Sequence, residues 1–163
     1  MIPNNFTSKS QEAIQVAQML ANENGQQAVD PIHLLASLIN QDAGIIPSLL
    51  QKMKINVNRL ISQVDQILQS LPKNFGFNQS GMGQVLLSPA LAKTMQNSAN
   101  QAKQFGDDFI STEHLFLALL QNKQVAQFLT GQGIEVKPTL EALKDVRGNQ
   151  KVDSADPEAK FQA

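Results

Sequence analysis

Apolar residues recur along this chain with the period of an α-helix, in eight stretches separated by turn residues. In "FTSKSQEAIQVAQMLANENG" the residues Ile14, Ala17 and Ala21 fall at helical spacing. Ser8 and Gln11 have the spacing of a capping box, and Thr7 is an equally good cap. Gly25 is a C-terminal stop. Asp30 and Pro31 open a second helix, the proline standing where its missing N–H costs nothing. Leu34, Leu35, Leu38 and Ile39 form that helix's apolar stripe. A short helix is predicted over 47–53. Asn56 then caps a longer one, whose stripe of Val57, Leu60, Ile61, Val64, Ile67, Leu68 and Leu71 is the most sustained in the chain. Residues 72–84 hold a proline and three glycines without helical period, and read as a connecting loop. Ser88 and Pro89 repeat the cap-then-proline grammar, with Leu91, Met95, Ala99 and Ala102 behind them and Gly106 as the stop. Ser111 caps a sixth helix carrying Leu115, Phe116, Leu119 and Leu120. A short seventh surrounds Val125, Phe128 and Leu129 and ends at Gly131 and Gly133. The last is predicted to start near Pro138 and carries Leu140, Leu143 and Val146.

The second half of this pattern repeats the first. "VDPIHLLASLINQ", residues 29–41, returns as "ISTEHLFLALLQN", residues 110–122. An offset of 81 pairs Gln15 with Gln96, Gly25 with Gly106, His33 with His114 and Leu38 with Leu119, unbroken from residue 6 to 40. After a two-residue deletion an offset of 79 pairs Leu50 with Leu129, Ile55 with Ile134 and Val57 with Val136. This is an internal duplication. A unit of about 60 residues buries too little surface to be stable alone. The prediction is therefore an all-α domain over 1–147, with eight helices as two pseudo-twofold-related four-helix repeats, 6–71 and 87–146, sharing one core. Beyond it "RGNQKVDSADPEAKFQA" is polar, with one isolated phenylalanine, so 148–163 is expected to be a flexible linker open to cleavage at Lys151 or Lys160.

Composition adds mainly exclusions. Apolar residues make up 42% of the 163, enough for a core, and charged residues only 17%. Twenty-one glutamines and 13 asparagines supply the missing polarity, interleaved with the apolar period and so read as surface. A net charge of −1 makes no electrostatic case for nucleic acid or anionic membrane, and there is no Tyr or Trp to stack on bases. The chain has no cysteine, no basic-then-apolar leader and no 18-residue apolar run, so a cytoplasmic protein is expected. No zinc-protease motif, nucleophile elbow or phosphate-binding glycine loop occurs, and "GFNQSGMG" lacks the lysine of such a loop. His33 and His114 are the third residues of equivalent helices and read as duplicated structural residues. Asp107, Asp108 and Glu113 stand in a turn and at a helix start, where acids suit the helix dipole. No active site emerges, and an enzyme is not expected.

The doubled unit, with the helix starts "DPIHLL" and "STEHLFLALL" and the turn "GDDFIS", resembles the Clp N-terminal repeat domain, the amino-terminal module of Clp-type AAA+ chaperone ATPases. The resemblance covers residue 1 to about 147, and the tail "DPEAKFQA" is most similar to the disaggregase branch. It implies a module that engages unfolded or aggregated polypeptides and passes them to a hexameric ATPase ring working with an Hsp70-type system. Cofactors are expected to be none in this chain, with ATP bound by the ring. The alternative it implies is an adaptor-docking domain of a protease unfoldase, or a free-standing repeat protein. Family substrate positions match Thr7 before the first helix, Asp107 after the glycine turn and Glu113 at the sixth helix. Groove positions that can be leucine in the family are Asn97, Gln101 and His114 here, so a partly polar groove is expected.

Overall fold

The computed structural model describes residues 5–73, 86–148 and 150–157. Eight helices stand among them: α1 (Ser8–Glu23), α2 (Pro31–Asn40), α3 (Ile45–Lys52), α4 (Val57–Ser70), α5 (Pro89–Gln104), α6 (Thr112–Leu119), α7 (Lys123–Gly131) and α8 (Val136–Arg147). Most of the predicted loop at 72–84 lies outside the described residues.

Caps decide where these helices begin. The Ser10 N–H donates to Thr7 Oγ1 at 3.2 Å, so Thr7 is the cap of α1. Asn56, Ser88 and Asn122 accept in the same way from Arg59, Leu91 and Val125 at 3.1, 3.1 and 2.9 Å. Each satisfies one amide that the first turn leaves without a partner. Gly25 and Gly106, the equivalent stops, both take the left-handed conformation at φ 71° and 72°, where a side chain would be strained. Two starts differ from the sequence reading. Helix α3 begins at Ile45 rather than 47, because Gly44 caps it through backbone conformation alone. Helix α8 begins at Val136, with Pro138 inside the first turn, where no N–H is required of it.

Backbone pairing makes the pseudo-twofold relation visible. Strand β1 (Ala28–Val29) pairs in parallel with β2 (Leu86–Leu87), and Phe6 bridges in parallel to Ile110. At the offset of 81, Leu87 is the counterpart of Phe6 and Ile110 that of Val29. The lead-in segment of each repeat therefore pairs with the turn of the other. The Thr7 N–H donates to the Ile110 carbonyl at 3.0 Å, and Ser88, the counterpart of Thr7, donates to that of Val29 at 3.0 Å. Helices α2 and α6 form the shared centre and pack on each other. Residues 33–39 and 112–119 are buried throughout, with α1 laid against α2 and α5 against α6. This arrangement explains why neither repeat is sufficient. Each central helix is apolar on faces its own repeat cannot cover, and each buried leucine contributes about 1.5–3 kcal/mol only when covered.

The tail departs from the expected linker over 150–157. Val152 is completely buried. Its carbonyl accepts from the Asp108 and Phe109 N–H groups at 2.9 and 3.2 Å. The Ala155 carbonyl accepts from the Ser8 N–H at 2.8 Å, so this strap touches both repeats. The bonds are made by backbone groups and so need no apolar period, which is why polar sequence concealed them.

Candidate functional site

The two histidines do identical local work with different outer partners. Each stands at the third helical position and replaces the Glu or Gln of a capping box. The Asp30 N–H donates to His33 Nδ1, and the Ser111 N–H to His114 Nδ1, both at 2.9 Å. The ring proton therefore sits on Nε2 in both. In the first repeat Nε2 donates to Gln26 Oε1 at 3.1 Å, and Gln26 Nε2 donates to the Asn24 carbonyl at 2.9 Å. Burial pushes the His33 pKa down, against the opposing charge of Asp30.

In the second repeat the counterpart of Gln26 is Asp107, and charge replaces the neutral pair. His114 Nε2 donates to Asp107 Oδ2 at 2.8 Å. Arg147 Nη2 and the Val152 N–H donate to Oδ1 at 2.8 and 3.0 Å. Burial alone would raise the Asp107 pKa. The bonds from His114, Arg147 and Val152 and the Arg147 charge together hold it well below the usual carboxylate range. Arg147 also donates to the Gln150 carbonyl at 3.1 Å and lies 3.5 Å from Glu113 Oε2. Its guanidinium sits 5.1 Å from the centre of the Phe105 ring, which meets His114 edge-on at 5.5 Å. Both Glu113 carboxylate oxygens are buried without a hydrogen bond among the described residues, relying on the Arg147 charge and the N-terminal dipole of α6. The cluster fastens the start of α6, the end of α8 and the strap to one another.

The structure thus brings Asp107, Glu113 and His114 together but turns them inward. Glu113 and His114 expose none of their surface, and the Asp107 side chain none of its own. Thr7 is also fully buried, its hydroxyl bonded to Ser10 Oγ at 3.1 Å. A side chain without exposed surface cannot touch a substrate in this conformation, and what the structure shows of these four is an internal, helix-fastening role. Asn97 and Gln101 are half-exposed, one turn apart on α5, with Phe105 a turn further along the same face. Sequence reasoning missed Arg147 and Phe105. One signal was available: Gln26, Ile32 and Leu68 of the first repeat correspond to Asp107, Glu113 and Arg147 of the second. Three charges appear together where the first copy has none. Among the described residues no cluster of His, Asp and Glu is placed to hold a metal, and no helix is long and apolar enough to cross a membrane.

These features define a duplicated helical domain built around two capped histidines, with an ion cluster buried in its second half. A family described as the Clp repeat (R) N-terminal domain matches residues 5–132, and the chain belongs to that family. The chaperone protein ClpB of Bacillus anthracis is 34% identical over 161 residues, 98% of this chain and 18% of that protein. ClpB of Bacteroides thetaiotaomicron is 35% identical over the same shares. The chain therefore spans about a fifth of the length of these curated relatives. Among solved structures, the Hsp104 N-terminal domain from Candida albicans superposes with a TM-score of 0.83 at 19% identity, covering 95% of this chain and 99% of that one. The N-terminal domain of ClpD from Arabidopsis thaliana superposes at 0.61, with 19% identity over 86% and 96% of the two chains. These likenesses establish the fold.

Proposed function

We propose that this domain is the substrate-recognition module of a ClpB-type disaggregase, engaging unfolded or aggregated polypeptide and delivering it to an AAA+ ring. The observation that carries the reading is the identity to ClpB sustained over 98% of the chain. In this reading ATP belongs to the ring, an Hsp70-type system cooperates through the ring, and the module works in the cytoplasm. Residues 1–147 carry recognition, and the segment from 148 leads toward the ring. Substrate meets the accessible face of α5 at Asn97 and Gln101. The buried Thr7, Asp107, Glu113 and His114 hold the walls in place. A polar face of this kind grips weakly, with an affinity in the micromolar range or weaker, roughly −8 kcal/mol or less favourable. Weak binding suits the task, since a tight grip would have to be broken before the chain could be threaded.

The test is fluorescence anisotropy of a permanently unfolded, reduced and alkylated protein titrated with the 163-residue chain. Saturable weak binding is expected, tightened by the Asn97→Leu/Gln101→Leu variant. An unfolded chain that does not bind, or an affinity indifferent to both substitutions, overturns the assignment and favours adaptor docking.

A further inference from the structure

A cleft of about 640 Å³ lies between the end of α5, helix α8, and Gly148, Gln150 and Lys151. Its floor is apolar, with half-buried Phe105 and Leu140 over buried Leu143. Its rim is basic, with exposed Lys137, Lys144 and Lys151 against a single lining acid, Glu141. Arg147 beneath it is already engaged with Asp107 and Glu113, so the positive charge presented at the rim is that of the lysines. The basic rim is not a legacy of the duplication. At the offset of 79 Lys137 and Lys144 correspond to Asn58 and Asp65 of the first repeat, neither a cation, and Lys151 follows the end of the second repeat. The second copy thus carries cations around an apolar floor where the first does not, on a chain whose net charge is −1.

From this juxtaposition we infer that the cleft is a docking site for a short protein segment in which apolar side chains are flanked by carboxylates. The volume falls within the range of ligand pockets and admits a few side chains rather than a folded surface. Desolvated leucine or phenylalanine would cover Phe105 and Leu140, while Asp or Glu on either side would meet the lysines. The third wall is the strap itself. Lys151 donates to the Phe105 carbonyl, and the neighbouring Val152 is tied to Asp107 at 3.0 Å. An occupant that touches this wall favours the docked strap by the same factor as docking favours the occupant. The cleft meets the Asn97 and Gln101 face at Phe105 but is lined by neither of those two residues, and the inference stands whether or not that face binds unfolded chains.

The test uses the whole 163-residue chain, isotopically labelled, and two synthetic peptides with identical leucine cores, one flanked by aspartates and its twin by lysines. The aspartate peptide is expected to shift the amides of Phe105, Leu140 and Lys144 saturably, more weakly as salt is raised. The twin is expected to leave them in place. Lys137→Glu/Lys144→Glu alters two exposed positions, so its melting curve should match wild type, while affinity for the aspartate peptide falls about tenfold or more. Equal binding of the twins, shifts that avoid the cleft, or an affinity untouched by the charge reversal would each overturn the inference.

Discussion

Replacing Arg147 with leucine installs the residue that the first repeat uses at the same place, Leu68, but leaves two buried carboxylates behind. The substitution removes the 2.8 Å bond to Asp107, the 3.5 Å pairing with Glu113 and the 3.1 Å bond to the Gln150 carbonyl. Removing one partner of a buried ion pair costs about 3–5 kcal/mol, because the remaining charge is stranded. Domains of this kind have roughly 5–15 kcal/mol in total, so the variant should be visibly marginal. The informative comparison is the triple variant Asp107→Gln/Glu113→Ile/Arg147→Leu, which rebuilds the neutral arrangement of Gln26, Ile32 and Leu68. Exchanging a whole buried ion cluster for well-packed neutral residues is often neutral or stabilising, so the triple should lie within about 1 kcal/mol of wild type. Urea denaturation followed by circular dichroism at neutral pH measures all three chains. The Asp107 pKa is held down by folding, so its contribution is complete above the unfolded value near 4 and is lost as pH falls through the folded one. The gap between wild type and Arg147→Leu should accordingly shrink in acid. A single variant as stable as wild type, or a triple no better than the single, would refute the ion-cluster account.

Three further outcomes follow from the same geometry. His33 is held neutral by burial, so its contribution is present above the unfolded pKa near 6.5 and is lost as pH falls below it. The urea midpoint should begin to drop as pH falls through about 6.5, and His33→Gln, which can keep the capping box, should flatten that drop. Lys54 holds φ 63° where its counterpart Gly133 holds 84°. Lys54→Gly should raise the unfolding free energy by roughly 0.5 kcal/mol, the left-handed strain relieved less the entropy glycine adds to the unfolded chain. Val152→Asp should undock the strap, and trypsin, slow at Lys151 in wild type, should then cut there quickly by mass spectrometry.

The helix count, the shared core and the duplication were legible because they rest on side-chain period and on caps such as Asp30, Asn56, Ser88 and Ser111, all local signals. Features fixed largely by backbone were not. The β1–β2 pair is two residues long on each side, and Gly44 and much of the strap at 150–157 act through carbonyl and amide groups that any sequence carries, with Val152 a single buried anchor too isolated to show a period. The ion cluster escaped for another reason. Arg147 meets Asp107 across 40 residues, a distance no spacing rule reaches, and Asp107 and Glu113 look like ordinary helix-start acids when read singly. Only the comparison of the repeats, position by position, separates a buried acid from a solvated one.

The most direct test of substrate recognition is a chemical-shift map of the labelled chain titrated with one protein in two forms, folded and permanently unfolded. Perturbations on α5 around Asn97 and Gln101 with the unfolded form, and none with the folded form, are the predicted result. Equal response to both forms, or perturbations that leave α5 untouched while saturating elsewhere, would contradict the account.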